Sequence, residues 1–311
     1  MPAISVILPV YNGMPYLKES VQSLLEQDCS DFEISILDDC SKDGSWEYLN
    51  SLHSDKIRLL RNDRNMGLFY NLNKLLKITD SALVKLWSQD DIMSASALSK
   101  IVRFHQVHPE VGFSYTGVST IDGDGNPIET DWIDKTPEII DRALHTRIAF
   151  HTGSIAGNIA NVTITRRALE KVGLFNEAMK IAADTEMWFR IAEHFPVGFM
   201  REKIISLRRH TGQLSRQEKY YINHLREELQ CYRYLMNYIT PAEKEAGIVE
   251  LRKKKLQFYM TLMVKSFAKG RFRTGIQFWN ELSEFDNMGI LLKNFYLYKI
   301  MRKSSGKDFF A

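Results

Sequence analysis

Along the front of the chain the apolar positions alternate between two periods. Ile4 to Val10 is a continuous apolar run, the pattern of a strand covered on both faces, and Tyr11-Asn12-Gly13 turns the chain after it. Leu17, Val21, Leu24 and Leu25 then recur at helical spacing. Phe32 to Leu37 predicts a second strand, Trp46, Leu49 and Leu52 a short helix, Ile57 to Leu60 a third strand, and Leu68, Leu72, Leu75 and Leu76 another helix. Leu83 onward predicts a fourth strand that stops at Ser88. A helix follows from Ser94 to His108, halted by Pro109, and then a strand from Gly112 to Ile121. This rhythm implies right-handed crossovers and a doubly wound, mostly parallel α/β sheet with helices on both faces.

Further on the pattern is mixed. Trp132 to Ala160 looks irregular and loop-like, Val162 to Thr165 predicts a strand, and Arg167 to Val172 a short helix closed by Gly173. A helix starts near Ala183, and Val197 to Met200 and Ile204 to Leu207 predict two edge strands. After Gln213 the pattern is helical throughout. Ile222, Leu225, Leu229, Tyr232 and Met236 form a stripe, and Thr240-Pro241-Ala242-Glu243 spells a capping box with proline at the first helical position. The expected organisation is a sheet domain over 1–213 and a helical C-terminal extension over 214–311.

Composition narrows the class. The 311 residues are 44% hydrophobic and 25% charged, which excludes wholesale disorder. Cys29, Cys40 and Cys231 have no paired spacing, so neither a disulfide framework nor a zinc site is expected, and a reducing, cytoplasmic setting fits. The start of the chain meets Pro9 and Asn12 early and predicts a strand, not a signal peptide. The net charge of +3 conceals an asymmetry: residues 1–200 hold 19 Lys+Arg against 27 Asp+Glu, and residues 201–311 hold 22 against 11. A basic rear of this kind attracts an anionic membrane surface or a phosphate-bearing partner. Lys253-Lys254-Lys255 and Phe295 to Lys303 are the segments expected to touch lipid headgroups.

The chemistry gathers at strand ends. Pro9, Tyr11 and Asn12 follow the first strand, Asp38 and Asp39 the second, and Asp90 and Asp91 the fourth. On a doubly wound sheet these ends share one crevice. No glycine-rich phosphate loop is present, so a cation held by the carboxylates is expected to neutralise a nucleotide's phosphates. Asp122-Gly123-Asp124-Gly125-Asn126 is excluded as a calcium loop by Pro127 and Ile133, and predicts a hairpin turn.

Over residues 3–212 the chain resembles the family 2 glycosyltransferases of the GT-A fold. The resemblance rests on Ile4 to Asn12, Leu37-Asp38-Asp39-Cys40-Ser41-Lys42-Asp43-Gly44, Asn65-Met66-Gly67, Ser88-Gln89-Asp90-Asp91 and Ala183-Asp184-Thr185-Glu186-Met187-Trp188, in that order. It implies an inverting transfer of sugar from a nucleoside-diphosphate sugar to a saccharide or lipid-linked acceptor, as in bacterial surface-polysaccharide assembly. Pro9, Tyr11, Asn12, Asp39, Gly67 and Asp90 would bind the donor, and Asp91 the Mn²⁺ or Mg²⁺, with His210 as a further metal or diphosphate contact. Asp184 would be the general base, and Glu186 and Trp188 would shape the acceptor side. Read alone, Asp184 suits a helix N-cap; in this company it suits a base. Two departures from the family pattern are Ser88, where an acid often opens the metal motif, and Ala183, where Glu often precedes the base. The rival readings are a sugar-1-phosphate nucleotidyltransferase and a non-catalytic scaffold. No nucleic-acid partner is expected; peripheral contact with the inner face of an anionic membrane and a homo-oligomer through the helical tail are.

Overall fold

The computed structural model describes residues 2–129, 134–210, 212–213, 218–253 and 255–305. Expectations that fall on Trp132, Ile133 and Lys254 lie outside them. The chain divides into two units, one of residues 1–145 with 154–216, the other of residues 146–153 with 217–311.

The first unit is built on a mixed sheet. Its strands are β1 (Ile4–Val10), β2 (Phe32–Asp38), β3 (Ile57–Arg61), β4 (Leu83–Leu86), β5 (Ile92–Met93), β6 (Phe113–Ile121), β7 (Pro127–Ile128), β8 (Ile139–Ile140), β9 (Thr163–Thr165) and β10 (Val197–Arg208). The order is β3-β2-β1-β4-β9-β6-β10-β5, with β7 paired to β6 and β8 to β10. The pairs β1·β2, β1·β4, β2·β3 and β6·β10 are parallel, while β9 runs antiparallel between β4 and β6. Between β1 and β4 the strand order reverses, which in open α/β sheets is where ligands bind.

Helices α1 (Leu17–Leu25), α2 (Ser45–Asn50), α3 (Leu68–Ile78) and α4 (Ala97–Val107) form the crossovers, and α6 (Arg166–Val172) and α7 (Ala183–Ala192) come later. Every residue of β1 is buried, as a strand covered on both faces must be. Residues 122–126 form the turn of the β6–β7 hairpin, with Asp122 accepting from the backbone of Asp124 and Asn126, both at 2.9 Å.

Two expectations change. The two predicted edge strands are one strand, β10, which is interrupted in register between Met200 and Ile205 and lies inside β5. There Arg201, Glu202 and Lys203 are exposed, which breaks the apolar run in the sequence. A Cβ on Gly117 would stand 2.5 Å from the Arg201 carbonyl, so the irregularity requires a glycine opposite it. The region read as loop contains helix α5 (Arg142–Thr152). Its buried stripe includes His145 and Thr146, so no apolar periodicity marked it.

His145 and His105 are buried in this unit. His105 Nε2 lies 2.9 Å from Ser114 Oγ, and the His145 ring packs edge-on to Phe113 and Phe189. Burial pushes both imidazoles down to about 4, helped for His105 by the charges of Arg167 and His108. A folded pKa below the unfolded one means that unfolding takes up a proton. The stabilisation is therefore complete above the ordinary value of about 6.5 and is lost as pH falls toward 4, by about 2 kcal/mol per histidine between pH 7 and pH 5. In urea titrations at those two pH values, His145→Phe should lose about 2 kcal/mol less than the parent chain. An unchanged difference would remove His145 from the acid sensitivity.

The second unit holds α8 (Tyr221–Leu235), α9 (Pro241–Lys253), α10 (Lys255–Ala268), α11 (Phe272–Phe285) and α12 (Met288–Ser305). Leu225, Leu229, Tyr232 and Leu235 are buried on α8, and Met260, Met263, Phe278, Leu282 and Leu291 complete the apolar interior. The capping box forms: Thr240 N donates to Glu243 Oε2 at 2.9 Å and Glu243 N to Thr240 Oγ1 at 3.3 Å. Lys255, expected at a lipid surface, instead donates to Glu228 at 2.8 Å, beside the Tyr259 hydroxyl that donates to the same carboxylate. Among the described residues no helix is long and apolar enough to cross a membrane.

Candidate active site

The mouth between β1 and β4 is shaped by a missing hydrogen bond. Ile7 O accepts from Trp87 N, so odd-numbered residues of β1 present their backbone groups to β4. Pro9 is the next of these, and it has no N–H to offer. The backbone pairing of β1 with β4 ends at Ile7 and Leu86. Two residues on, the side-chain amide of Gln89 takes over: Tyr11 N donates to Gln89 Oε1 at 2.8 Å and Gln89 Nε2 donates to Tyr11 O at 3.1 Å. A side chain from the fourth strand's loop thus continues the ladder of the first.

The loops after β1 and β2 are also tied together. Asn12, in the left-handed region at φ 49°, donates its N–H to Ser41 Oγ and accepts at Oδ1 from Lys42 N, both at 2.9 Å. Gly13 N and Met14 N donate to Ser45 Oγ and Asp43 Oδ2, again at 2.9 Å. The Tyr11 ring stands 47% exposed above this scaffold.

Asp38 and Asp39 are both buried. Asp38 accepts from Ser41 N and pairs with Arg61 Nε at 3.2 Å. Asp39 accepts from Asn62 Nδ2 and Met66 N at 2.8 Å and from Gly67 N at 2.9 Å. Protein donors thus occupy three of the roughly four acceptor positions of a carboxylate. Here Asp39 fastens the turn that opens α3, where Gly67 sits at φ +92°, a region costly for any residue with a Cβ.

The adjacent acids of the third loop divide their surroundings. Asp90 accepts at Oδ1 from the Ser88 hydroxyl and meets His210 Nε2 through Oδ2 at 2.9 Å. Ser88 therefore orients Asp90, where an acid would repel it. Asp91 is 1% exposed; its Oδ1 accepts from Arg208 N at 2.8 Å, and its Oδ2 is buried without a partner. Burial pushes its carboxyl up to about 7, with the Asp90 charge adding to the effect and the Arg208 N–H and Lys85 opposing it. Lys85 is itself wholly buried, donates to the carbonyls of Ala160 and Val162, and is pushed down to about 7 by burial, against the pull of Asp91.

Arg208, 2% exposed at the end of β10, fixes this loop from behind. Its Nε donates to Asp90 O at 3.0 Å, Nη1 to Asp122 O at 3.3 Å and Gly123 O at 3.2 Å, and Nη2 to Glu19. The guanidinium lies over the Tyr16 ring at 4.8 Å, and the His210 ring packs on the same tyrosine at 4.7 Å.

A divalent cation fits part of this set. Asp90 and His210 bring an oxygen and a nitrogen together at the mouth, and Mg²⁺ or Mn²⁺ at phosphate sites uses one or two such groups with phosphate and water completing the shell. Among the described residues no group of three or more His, Cys, Asp or Glu converges. Asp91, the expected metal residue, accepts at one oxygen from the backbone of Arg208 and has its other oxygen buried without a partner, an acceptor of the kind a cation satisfies.

Asp184 sits in the first turn of α7, whose N-cap is Ala182, so Asp184 is not the cap. It is half-buried and accepts from Thr185 N at 2.7 Å. The segment before it is held from two sides: Asn73 of α3 exchanges hydrogen bonds with the backbone of Phe175 at 2.9 Å, and Arg190 donates to the carbonyls of Val172 and Leu174. Because α3 begins at the glycine that Asp39 holds, a continuous set of bonded groups runs from the loop after β2 to the segment before α7. Glu186 is engaged by Arg190 through both oxygens, at 2.7 and 2.9 Å. Trp188 requires a correction. It is 1% exposed, packed against Phe113 at 5.1 Å and Phe175 at 6.1 Å, and so belongs to the core and not to an acceptor surface.

Sequence reading missed Gln89, Arg208, Lys85 and Asn73. The only available signal was a polar residue within an apolar run, as at Lys85, or beside a motif, as at Gln89 and Arg208.

The family model described as Glycosyl transferase family 2 matches residues 5–167. The chain belongs to this family. Among its relatives, an uncharacterized glycosyltransferase of Rickettsia felis is 28% identical over 70% of this chain and 36% of its own length. The putative teichuronic acid biosynthesis glycosyltransferase TuaG of Bacillus subtilis is 32% identical over 41% of this chain and 51% of its own. The putative colanic acid biosynthesis glycosyl transferase WcaA of Escherichia coli is 26% identical over 62% of this chain and 67% of its own. The chain thus spans about a third of the Rickettsia protein's length and half of TuaG's. Among solved structures, residues 1–349 of Staphylococcus aureus TarS in complex with UDP-GlcNAc superpose with a TM-score of 0.68 at 18% identity, covering 91% of this chain and 80% of that one. This family 2 chain therefore has the expected GT-A fold.

Proposed function

We propose that this family 2 chain transfers a sugar from a nucleoside-diphosphate sugar to an acceptor hydroxyl with inversion at the anomeric carbon. The observation that carries the reading is the joining of the four loops after β1, β2, β3 and β4 by Gln89, Asn12 and Asp39. Tyr11 and Pro9 flank the base, the scaffold held by Asp39 and Gly67 shapes its pocket, and Asp90 with His210 faces the diphosphate. Asp91 is fixed beside Asp90 by the Arg208 N–H. Mn²⁺ or Mg²⁺, if held by Asp91 with His210 beside it, would supply positive charge against the diphosphate.

Asp184 removes the proton from the acceptor hydroxyl. The freed oxygen pair forms the bond to the anomeric carbon, the bond from that carbon to the diphosphate oxygen breaks, and the nucleoside diphosphate departs. Arg190 holds Glu186 and the segment before α7, so Glu186 serves the acceptor side by fixing where Asp184 stands. TarS structures are solved in complex with UDP and with UDP-GlcNAc, which supports a nucleotide-sugar donor here. TuaG and WcaA support a role in polysaccharide assembly, with a saccharide or lipid-linked acceptor. The same reading places the protein at the inner face of an anionic membrane, in peripheral contact, with its helical tail available for self-association.

The deciding experiment is product analysis with a panel of nucleotide-sugars and saccharide acceptors. Release of nucleoside diphosphate together with a sugar of inverted configuration is expected. Pyrophosphate would instead establish a nucleotidyltransferase, and neither product, with donor bound, a scaffold.

A further inference from the structure

The second unit carries a surface that catalysis does not use. From Leu251 to Asn280 the sequence holds eight Lys and Arg and no Asp or Glu, so the local field has a single sign. Four of these cations, Lys265, Lys269, Arg271 and Arg273, are exposed around the turn from α10 to α11. Lys265, Lys269 and Arg273 form no ion pair among the described residues, and Arg271 meets Glu218 only at 3.7 Å, both side chains open to solvent.

Beside them α11 presents apolar groups outward. Phe272, Ile276 and Trp279 recur at the spacing of one helical face and are 63%, 52% and 40% exposed, while Gly275, Phe278 and Leu282 of the same helix turn inward. Phe267 packs on Phe272 at 6.3 Å, and a Cβ on Gly275 would collide with the Phe267 ring, so the end of α10 and the start of α11 lie close against each other.

We infer that the α10–α11 turn and the outward side of α11 dock on an anionic phospholipid surface, with Phe272, Ile276 and Trp279 entering the interface and Lys265, Lys269, Arg271 and Arg273 meeting lipid phosphates. Aromatic and aliphatic side chains on one face with cations beside them match the headgroup boundary, where apolar bodies are buried and charges remain among phosphates. A soluble polyanion would use the cations and gain nothing from Phe272 and Ile276. A two-fold contact through this patch would bring two clusters of four cations into one interface, an arrangement that like charge opposes. The inference deepens the peripheral contact proposed above by naming its segment, and it is independent of the catalytic assignment.

The test is co-sedimentation of the full chain with phosphatidylcholine vesicles, with and without about 30 mol % phosphatidylglycerol. Two variants are compared with the parent, K269E/R271E/R273E and F272S/I276S/W279S, with K244E on α9 as a control. Binding only to the anionic vesicles is expected, weakened at least about tenfold by each triple variant and unchanged by K244E. Parent and triple variants bound equally would overturn the location. No binding by the parent would overturn the peripheral contact as well, while leaving product analysis untouched. A light-scattering dimer that F272S/I276S/W279S dissolves would give the surface to a second copy. A soluble acidic polysaccharide held equally by the parent and that variant would give it to a polyanion. Unchanged circular dichroism is expected of both variants, since every altered side chain is exposed.

Discussion

Replacing Asp184 by asparagine should lower the transfer rate by about 10² to 10⁴ while donor affinity stays within about twofold. Asparagine keeps an Oδ1 that accepts from Thr185 N, so the first turn of α7 retains its local geometry. What it loses is the ability to take a proton. A sugar hydroxyl is a weak nucleophile near neutral pH, and without a base the attack must generate a free oxyanion or its equivalent. The measurement is turnover at saturating donor and acceptor, set beside donor binding by thermal shift. A variant that turns over at the parent rate would take Asp184 out of the chemistry, and one that loses donor binding equally would make it a structural residue.

Arg208→Met should destabilise the chain by about 3 kcal/mol and weaken donor binding severalfold. The cost does not come chiefly from Glu19, whose side chain is 62% exposed and can return to water. It comes from the carbonyls of Asp90, Asp122 and Gly123, each of which accepts from the guanidinium. A methionine fills much of the volume and satisfies none of them. Arg208→Lys keeps the charge but has a single nitrogen, which cannot reach three directions at once, so it should recover less than half of the loss. Urea denaturation of the three proteins measures this directly. Parent-like stability in Arg208→Met would show that water replaces the guanidinium at little cost.

These residues also mark the boundary of what the chain discloses by itself. Continuous apolar runs revealed β1 and β2, helical spacing revealed α1 and α3, and acids at strand ends revealed the mouth, because each of these signals lies within a short stretch. Arg208 and Asp91 meet from distant parts of the chain, as do Gln89 and Tyr11, and no periodicity encodes such a meeting. Trp188 was misjudged because a large aromatic beside a motif looks the same whether it faces a ligand or a core; only Phe113 and Phe175, brought in by other elements, decide it. The motif marks Asp91 as a metal residue but not its neighbours: the turn after β4 gives its Oδ1 to the backbone of β10, leaves Oδ2 without a partner, and sets Asp90 against His210. The exposed break in β10 split one strand into two on paper for a similar reason: its continuity is enforced by β6 alongside.

The proline in β1 has a mechanical consequence. Past Ile7, the first and fourth strands are clasped through the side-chain amide of Gln89 and not by peptide groups of both strands. A flat ring wedged between them would displace one side chain at a cost of about 1 to 3 kcal/mol and leave every rung of the sheet below intact. The crevice can therefore widen for a guest without unravelling the floor that supports it.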